Sequence, residues 1–333
     1  RLLAAPNIAS KHWVYDQYDS TVRTNTAVEP GSDSGVVRIK KTKKALALAT
    51  DCNARYCYLN PREGARIAVA ESARNIVCSG GKPQAITNCL NFGNPYKPEV
   101  YYTFTEAIAG MGEACKALGT PVTGGNVSFY NEDAERTVFP TPVIGMVGLI
   151  DDVAHITTSW FKSESDVIYL LGECKDEIGA SEYLNFFHGL TTGKVPALDM
   201  DTELNLQESL LLAIRSGLVA SAHDTSEGGF AVALAECCIG NIETPLGADV
   251  SLEEFIPTDS LLFGETQSRV IVSVAPEHCQ KFAELMESAG QKFSKLGTVG
   301  AGYLKINDLI NLPLDKLIDS YHHSLKRLAE KFG

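Results

Sequence analysis

Four short stretches carry residues that could do chemistry. In Thr123-Gly124-Gly125-Asn126-Val127-Ser128 two glycines follow an apolar approach. Such a pair lets backbone come close to a ligand and turns its N–H groups toward an anion. Asn126 and Ser128 add oxygen atoms suited to a hard cation or a substrate phosphate. No Gly-Lys-Ser/Thr follows, so this is not a P-loop. A second stretch, Asp51-Cys52-Asn53-Ala54-Arg55, places a carboxylate at the end of an apolar run. That is where α/β proteins put ligand-facing groups. A turn Asp that only caps the chain has the same look.

The third stretch is His223-Asp224-Thr225-Ser226-Glu227-Gly228-Gly229. Strand end, acids and paired glycines point to an anion or metal–phosphate site; an N-capping box with a satisfied His is the structural alternative. It is a poor hydrolase triad, because triad members meet through the fold and not through adjacency. The fourth is Gly264-Glu265-Thr266-Gln267-Ser268-Arg269, where Glu265 and Gln267 share a face if the backbone is extended.

These stretches need elements to hold them. Residues 45–50 read as a strand. Asn60 then caps a helix with Pro61 at its first position, running to Cys78. A strand at 84–90 and a helix at 104–118, closed by Gly119, come next. The apolar run 141–150 is another strand. Further on, strands at 166–171, 218–222 and 269–274 alternate with helices at 206–216, 229–238 and 277–289. Residues 10–22 read as an entry helix with Val14, Tyr18 and Val22 on one face. Leu314, Leu317, Ile318, Tyr321, Leu325 and Leu328 form an apolar stripe on a C-terminal packing helix. The expected division is a linker and entry helix at 1–36, a first α/β domain at 37–152, a second at 153–303 and the packing helix at 304–333.

Length agrees, since 333 residues make about two domains at roughly 150 each. The formal charge is -12, with 29 basic against 41 acidic residues. That speaks against nucleic acid or an anionic membrane as a partner. The apolar runs are strand-sized, far short of the roughly 20 residues of a membrane helix. The nine cysteines form no Cys-x-x-Cys pair and read as buried free thiols of a cytoplasmic protein. The chain opens at Arg1 without a Met, which suggests a piece of something longer.

In order along the chain, Pro6-Asn7-Ile8-Ala9-Ser10-Lys11, Gln17-Tyr18-Asp19, Thr24-Asn25-Thr26, Arg74-Asn75-Ile76-Val77-Cys78-Ser79-Gly80, Asn91-Phe92-Gly93-Asn94-Pro95, the Gly124–Ser128 and Pro140–Met146 stretches and the His223–Gly229 stretch resemble the C-terminal half of the phosphoribosylformylglycinamidine synthase family, small type. The resemblance covers essentially the whole chain. It implies an α+β/α/β, two-domain AIR synthetase-like fold: an A-type ATP-site domain, whose sheet pairs across a pseudo-twofold, and a B-type α/β domain. The family reaction is an ATP-dependent C–N ligation in purine biosynthesis. The formamide oxygen of formylglycinamide ribonucleotide attacks the γ-phosphate of ATP, and ammonia from a glutaminase then displaces phosphate.

The resemblance further implies ATP contacts at Asn88 and Gly125, a Mg²⁺ ligand at Asn126 and a substrate contact at Ser128. Asn88 stands where the family often carries an Asp; its amide can still hydrogen-bond adenine or ribose. Asp51, Asn53, Arg74, Asn75, Asp224, Glu265 and Gln267 would form a second, pseudo-symmetric site. There Asn53 takes the place of the family's catalytic His, and Asn75 that of a metal-binding Asp. Neutral Asn cannot accept a proton, so no residue of this half is expected to be the catalytic base. The implied partners are the N-terminal half, a glutaminase subunit and a small accessory subunit. Two alternatives are a non-catalytic nucleotide-binding module and a homodimeric AIR synthetase-like enzyme paired through its A domain.

Overall fold

The structure is a computed structural model and describes residues 1–253, 255–300 and 302–332. The first sheet holds β1 (Thr26–Val28), β2 (Gly35–Arg38), β3 (Ala45–Asp51), β4 (Lys82–Asn91), β5 (Val122–Ser128) and β6 (Thr141–Ile150), in the order β1-β2-β3-β6-β4-β5. All neighbours are antiparallel except β4 and β5, which run parallel with β5 at the edge. With it go α1 (His12–Tyr15), α2 (Ala54–Leu59), α3 (Pro61–Cys78) and α4 (Pro98–Leu118).

Alternation along the strands decides what each face meets. In β3 Ala45, Ala47 and Ala49 are buried against Ala65, Ala68, Val69 and Ala73 of α3. Small residues on both sides let helix and sheet approach closely. The opposite row holds Leu46, Leu48, Val147 and Leu149; Leu48 is half exposed and the other three are partly buried. Asn60 Oδ1 accepts from Glu63 N at 3.2 Å and starts α3, with Pro61 inside it. Gly119 ends α4 at φ 66°, a conformation that costs a residue with a Cβ.

The second sheet holds β7 (Val167–Leu171), β8 (Ser221–Asp224), β9 (Gly247–Val250), β10 (Val270–Val274), β11 (Phe293–Gly300), β12 (Tyr303–Ile306) and β13 (Ile310–Pro313), in the order β13-β12-β9-β11-β7-β10-β8. Its helices are α5 (Glu182–His188), α6 (Met200–Arg215), α7 (Gly229–Ile239), α8 (Thr258–Phe263), α9 (Cys279–Ser288), α10 (Leu314–His322) and α11 (Ser324–Phe332). Every residue of β7 and β10 is buried. One face packs on Leu206 and Leu210 of α6 and Phe282 and Met286 of α9. The other packs on α7. Continuous apolar strands are what a sheet covered on both sides requires. Helix α3 ties the two units together, since Val77 and Cys78 belong to the core beside α6.

Several expectations need correction. The entry helix at 10–22 is a single turn, α1, and Val14, Tyr18 and Val22 are exposed. With no surface to receive that stripe, Asp19 makes a local turn to Thr21 instead. The strand expected at 218–222 is shifted to β8, which brings Asp224 into the sheet opposite Val270. The C-terminal stripe is divided between α10 and α11, and β12 and β13 precede them. All nine cysteines are free; Cys89 is exposed, Cys52 and Cys279 half-buried, and the others buried. Among the described residues no helix is long and apolar enough to cross a membrane.

Candidate functional site

Two groups of residues come together, one on strand β5 and one around Arg74 of α3. The first lies on edge strand β5. Residues 122–127 are exposed, and Ser128 is half-buried. Pairing with β4 sets Gly125 opposite Asn88 and Asn126 opposite Cys89. A Cβ at Gly125 would lie 2.1 Å from Asn88 Oδ1, so only glycine lets Asn88 keep its place. Asn88 Nδ2 in turn donates to Met111 Sδ at 3.4 Å. Ser128 Oγ receives a hydrogen bond from Asn131 Nδ2 at 3.2 Å. Asn88, Gly125, Asn126 and Ser128 therefore share one strand pair at a sheet edge, where Gly125 and Asn126 are exposed and Asn88 is held against Met111 of α4.

The second group is an interdomain cluster of charge. Arg74 of α3 is fully buried. Its Nη1 meets Glu203 Oε2 at 2.9 Å, its Nε meets Asp224 Oδ2 at 3.4 Å, and its Nη2 meets Gln267 Oε1 at 3.2 Å. Glu71 lies one turn before it at 3.8 Å. Burial alone would lower the Arg74 pKa, but Glu203, Asp224 and Glu71 together push it up. Ser268 Oγ adds a bond to Glu203 at 2.5 Å. Asp51 hydrogen-bonds Glu71; burial and nearby Glu227 raise its carboxyl well above the ordinary range.

Glu265 stands beside this network. It accepts from Glu182 N and Gly228 N, each at 2.8 Å, and from the Tyr56 hydroxyl. Burial and Glu227 outweigh those three bonds, and its pKa is pushed up to about 7. Asn53 serves differently: its Oδ1 accepts from Arg55 N at 3.1 Å and Tyr56 N at 3.2 Å, which caps α2. The N-capping box read into His223–Gly229 does not form, because the N-cap of α7 is Gly228, which has no side chain to cap it.

A cavity of about 390 Å³ opens on the far side of Asp224 and reaches Asn75, Asp33 and His223. His223 Nδ1 is 2.9 Å from Asp33 Oδ1, and Nε2 is 3.0 Å from Glu236 Oε2. Burial lowers the imidazole pKa, but the two carboxylates raise it well above the ordinary value. One ligand atom each from Asp33, His223 and Asp224 lies within 4.8 Å of the others, close enough to hold a metal ion. Asp224 itself, buried beside Asp33, is pushed up to about 7 in spite of Arg74.

Of the second-site residues named from sequence, Arg74, Asp224 and Gln267 are in direct contact. Asp51 joins them through Glu71, Asn75 lines the adjoining cavity, and Glu265 and Asn53 lie on the side of α2. Sequence reasoning missed Glu71, Glu203, Asp33 and Glu236. A signal existed for Glu71: it precedes Arg74 by three residues within an otherwise apolar helix face.

The two sheets, the linking helix and the edge-strand glycines define a two-domain α/β protein of the AIR synthase related class. Residues 31–150 match the N-terminal domain of AIR synthase related proteins, and 163–307 match their C-terminal domain. The chain is 49% identical, over 99% of its length, to phosphoribosylformylglycinamidine synthase subunit PurL of Alkaliphilus metalliredigens (strain QYMF), and it spans 45% of that relative. Two solved structures share its fold. PurL of T. maritima complexed with FGAR gives a TM-score of 0.72 at 19% identity, over 85% of this chain and 47% of that one. The same protein complexed with ATP gives 0.69 at 21% identity, over 95% and 51%. The chain thus spans about half the length of the relatives it matches.

Proposed function

We propose that this chain is the C-terminal half of a PurL-type phosphoribosylformylglycinamidine synthase and completes a composite ATP–Mg²⁺ site without supplying its catalytic base. One observation carries the reading. The strand that would hold ATP, Gly125 and Asn126 above all, is an exposed edge. Phosphates bound there stand in water unless a second surface closes over them. The partly exposed apolar row of Leu46, Leu48, Val147 and Leu149, on β3 and β6 of the same sheet, is where such a surface, the N-terminal half, would pack.

The donor set fits a shared metal and not a private one. Asn126 offers one amide oxygen, and its neighbour across the ladder is Cys89. Mg²⁺ takes six oxygens, so phosphates, waters and a carboxylate from the other half would complete the shell. When bound, Mg²⁺ neutralises charge on the transferred phosphoryl group. Within this chain Gly125 gives the nucleotide close backbone approach, Asn88 offers an amide, and Ser128 offers a hydroxyl to formylglycinamide ribonucleotide. Asn53, spent on capping α2, supplies no proton transfer.

The purified chain alone is expected to show no turnover of formylglycinamide ribonucleotide with ATP and ammonia. Adding the N-terminal half is expected to restore it; robust activity of the isolated chain would overturn the reading. Glutaminase and small accessory subunits are then the expected ammonia-delivery partners, in a cytoplasmic assembly. A second reading, a resident nucleotide at the pseudo-symmetric site, is favoured by the cavity at Asp33, Asn75, His223 and Asp224. Calorimetry of Gly125→Val with Mg-ATP separates the two, because binding that survives the substitution belongs to the cavity.

A further inference from the structure

The pairing of β4 with β5 stops at Asn91 and Ser128. Residues 92–97 then lead into α4, and residues 129–140 lead into β6. The two loops stay together just past the strands. Tyr130 N donates to Gly93 O at 3.0 Å, and Asn131 N donates to Phe92 O at 3.1 Å. Phe92 and Phe129 both meet Phe104 of α4 edge-on, with centroids 5.3 Å and 5.0 Å away, so both loops rest on one helix. Glu132 braces them from the far side. Its Oε2 accepts from Asn94 N at 3.0 Å and from Thr137 Oγ1 at 3.2 Å. Its Oε1 meets Nζ of Lys97, the N-cap of α4, at 3.0 Å. The Asn94 N–H and Lys97 hold the Glu132 carboxyl below the ordinary carboxylate range.

Asn131 sits in the middle of this brace. Its Nδ2 donates to Ser128 O at 2.8 Å, to Phe92 O at 3.1 Å and to Ser128 Oγ at 3.2 Å. The two carbonyl oxygens can only accept, which fixes that end of the amide as the nitrogen. The Ser128 hydroxyl oxygen is therefore on the receiving side. The return contact, from Ser128 Oγ to Asn131 Oδ1, is 3.4 Å long. That lies beyond the roughly 2.5–3.0 Å of a good O–H···O bond. Among the described residues no other group hydrogen-bonds this hydroxyl. Its proton is left for an acceptor outside the chain.

We propose that Asn131 is a positioning residue: it holds the Ser128 hydroxyl as a ready donor to an oxygen of formylglycinamide ribonucleotide. The inference rests on Ser128 being the substrate contact, as proposed above. A free serine hydroxyl turns among staggered positions and can donate or accept. An N–H delivered to its oxygen takes up one accepting side, so the ligand meets a donor already in place. Asn131 acts through Ser128 and not on the substrate itself. Its amide is committed to Ser128 and Phe92, not to the nucleotide residues Asn88 and Gly125. Its loss therefore weakens the ribonucleotide subsite and spares the ATP subsite.

Kinetics of the chain reconstituted with the N-terminal half test it, using Asn131→Ala, Ser128→Ala and the double variant. Formylglycinamide ribonucleotide and ATP are varied separately. Asn131→Ala is expected to raise KM for formylglycinamide ribonucleotide about three- to tenfold and to leave KM for ATP within about twofold. In the Ser128→Ala background the same change is expected to add less than about twofold, because the two residues act as one unit. Asn131→Asp keeps the shape but loses both N–H donors, and it is expected to give the same KM effect where Asn131→Ala folds poorly by circular dichroism. Calorimetric Kd values for formylglycinamide ribonucleotide and Mg-ATP on the same complexes carry the comparison without turnover. An Asn131 effect that multiplies with that of Ser128, or that raises both KM values alike, is structural and overturns the inference. So does a parent KM in both Asn131 variants beside a raised KM in Ser128→Ala. A parent KM in Ser128→Ala itself removes Ser128 as the substrate contact, and the inference falls with it.

Discussion

Arg74 Nη1 and Glu203 Oε2 meet at 2.9 Å across the domain boundary, and neither side chain has any exposure to solvent. The same guanidinium serves Asp224, Glu71 and Gln267. A single cation thus neutralises acids from α3, α6 and β8. The charge balance of this cluster runs through that one guanidinium.

Removing that cation leaves buried acids without compensation. Arg74→Met is expected to lose about 3–5 kcal/mol of stability at neutral pH, read from urea midpoints. The loss should shrink at pH 5, where the freed carboxyls take up protons. A variant equally destabilised at both pH values would mean that packing, not charge, explains the effect.

Asn53 makes the opposite case, a site residue from sequence whose visible work is local. Asn53→Ala is expected to cost about 1 kcal/mol through loss of the α2 cap. Turnover of the reconstituted enzyme should stay near the parent value. A drop of a hundredfold would show that the amide takes part in chemistry after all.

How much of this could be read from the sequence follows from the range of each interaction. The glycines and Asn126 were legible because strand, turn and ligand approach are encoded within six residues. Helix α3 was legible from Asn60 and Pro61 for the same reason. Glu203 was not, since it lies 129 residues from Arg74 and an acid near the start of a helix looks like ordinary dipole compensation. The entry helix failed in the other direction. Val14, Tyr18 and Val22 have helical spacing, but spacing makes a helix only where a surface receives the stripe.

The steric claim at Gly125 has a direct check. Gly125→Ala puts a methyl 2.1 Å from Asn88 Oδ1 and 2.9 Å from Asn88 O. The amide must leave Met111, and backbone approach to a nucleotide is blocked. In the reconstituted enzyme KM for ATP is expected to rise about tenfold or more, while stability falls by about 1–3 kcal/mol. Unchanged ATP kinetics would remove β5 from the nucleotide site.

Leu48 tests the partly exposed apolar face of the first sheet. It is half exposed, and it pairs with Val147 of β6 and Gly35 of β2. Leu48→Lys should leave the melting temperature of the isolated chain nearly unchanged, because that side chain already meets solvent. Its association with the N-terminal half, or with a second copy, is expected to weaken at least about tenfold by sedimentation. Association at parent strength would place the interface elsewhere.

Glu265 offers a pH signature with a definite sign. Its folded pKa is pushed up to about 7 from the ordinary 4.5, by burial first and by Glu227 second. A folded state that binds its proton more tightly than the unfolded chain is favoured by acid. This contribution is therefore complete below about pH 4.5 and falls away as pH rises to about 7, beyond which it is flat. Across that window the change is roughly 3 kcal/mol at most, at about 1.4 kcal/mol per pKa unit. Glu265→Gln keeps an oxygen for Glu182 N and Gly228 N, and its amide can donate to the Tyr56 hydroxyl. The variant is expected to lose that part of the slope and to be more stable than the parent at pH 8, though not at pH 4.5. Urea titrations at several pH values read both effects. A parent and variant with parallel pH profiles would show that Glu265 titrates in the folded protein much as it does in the unfolded chain.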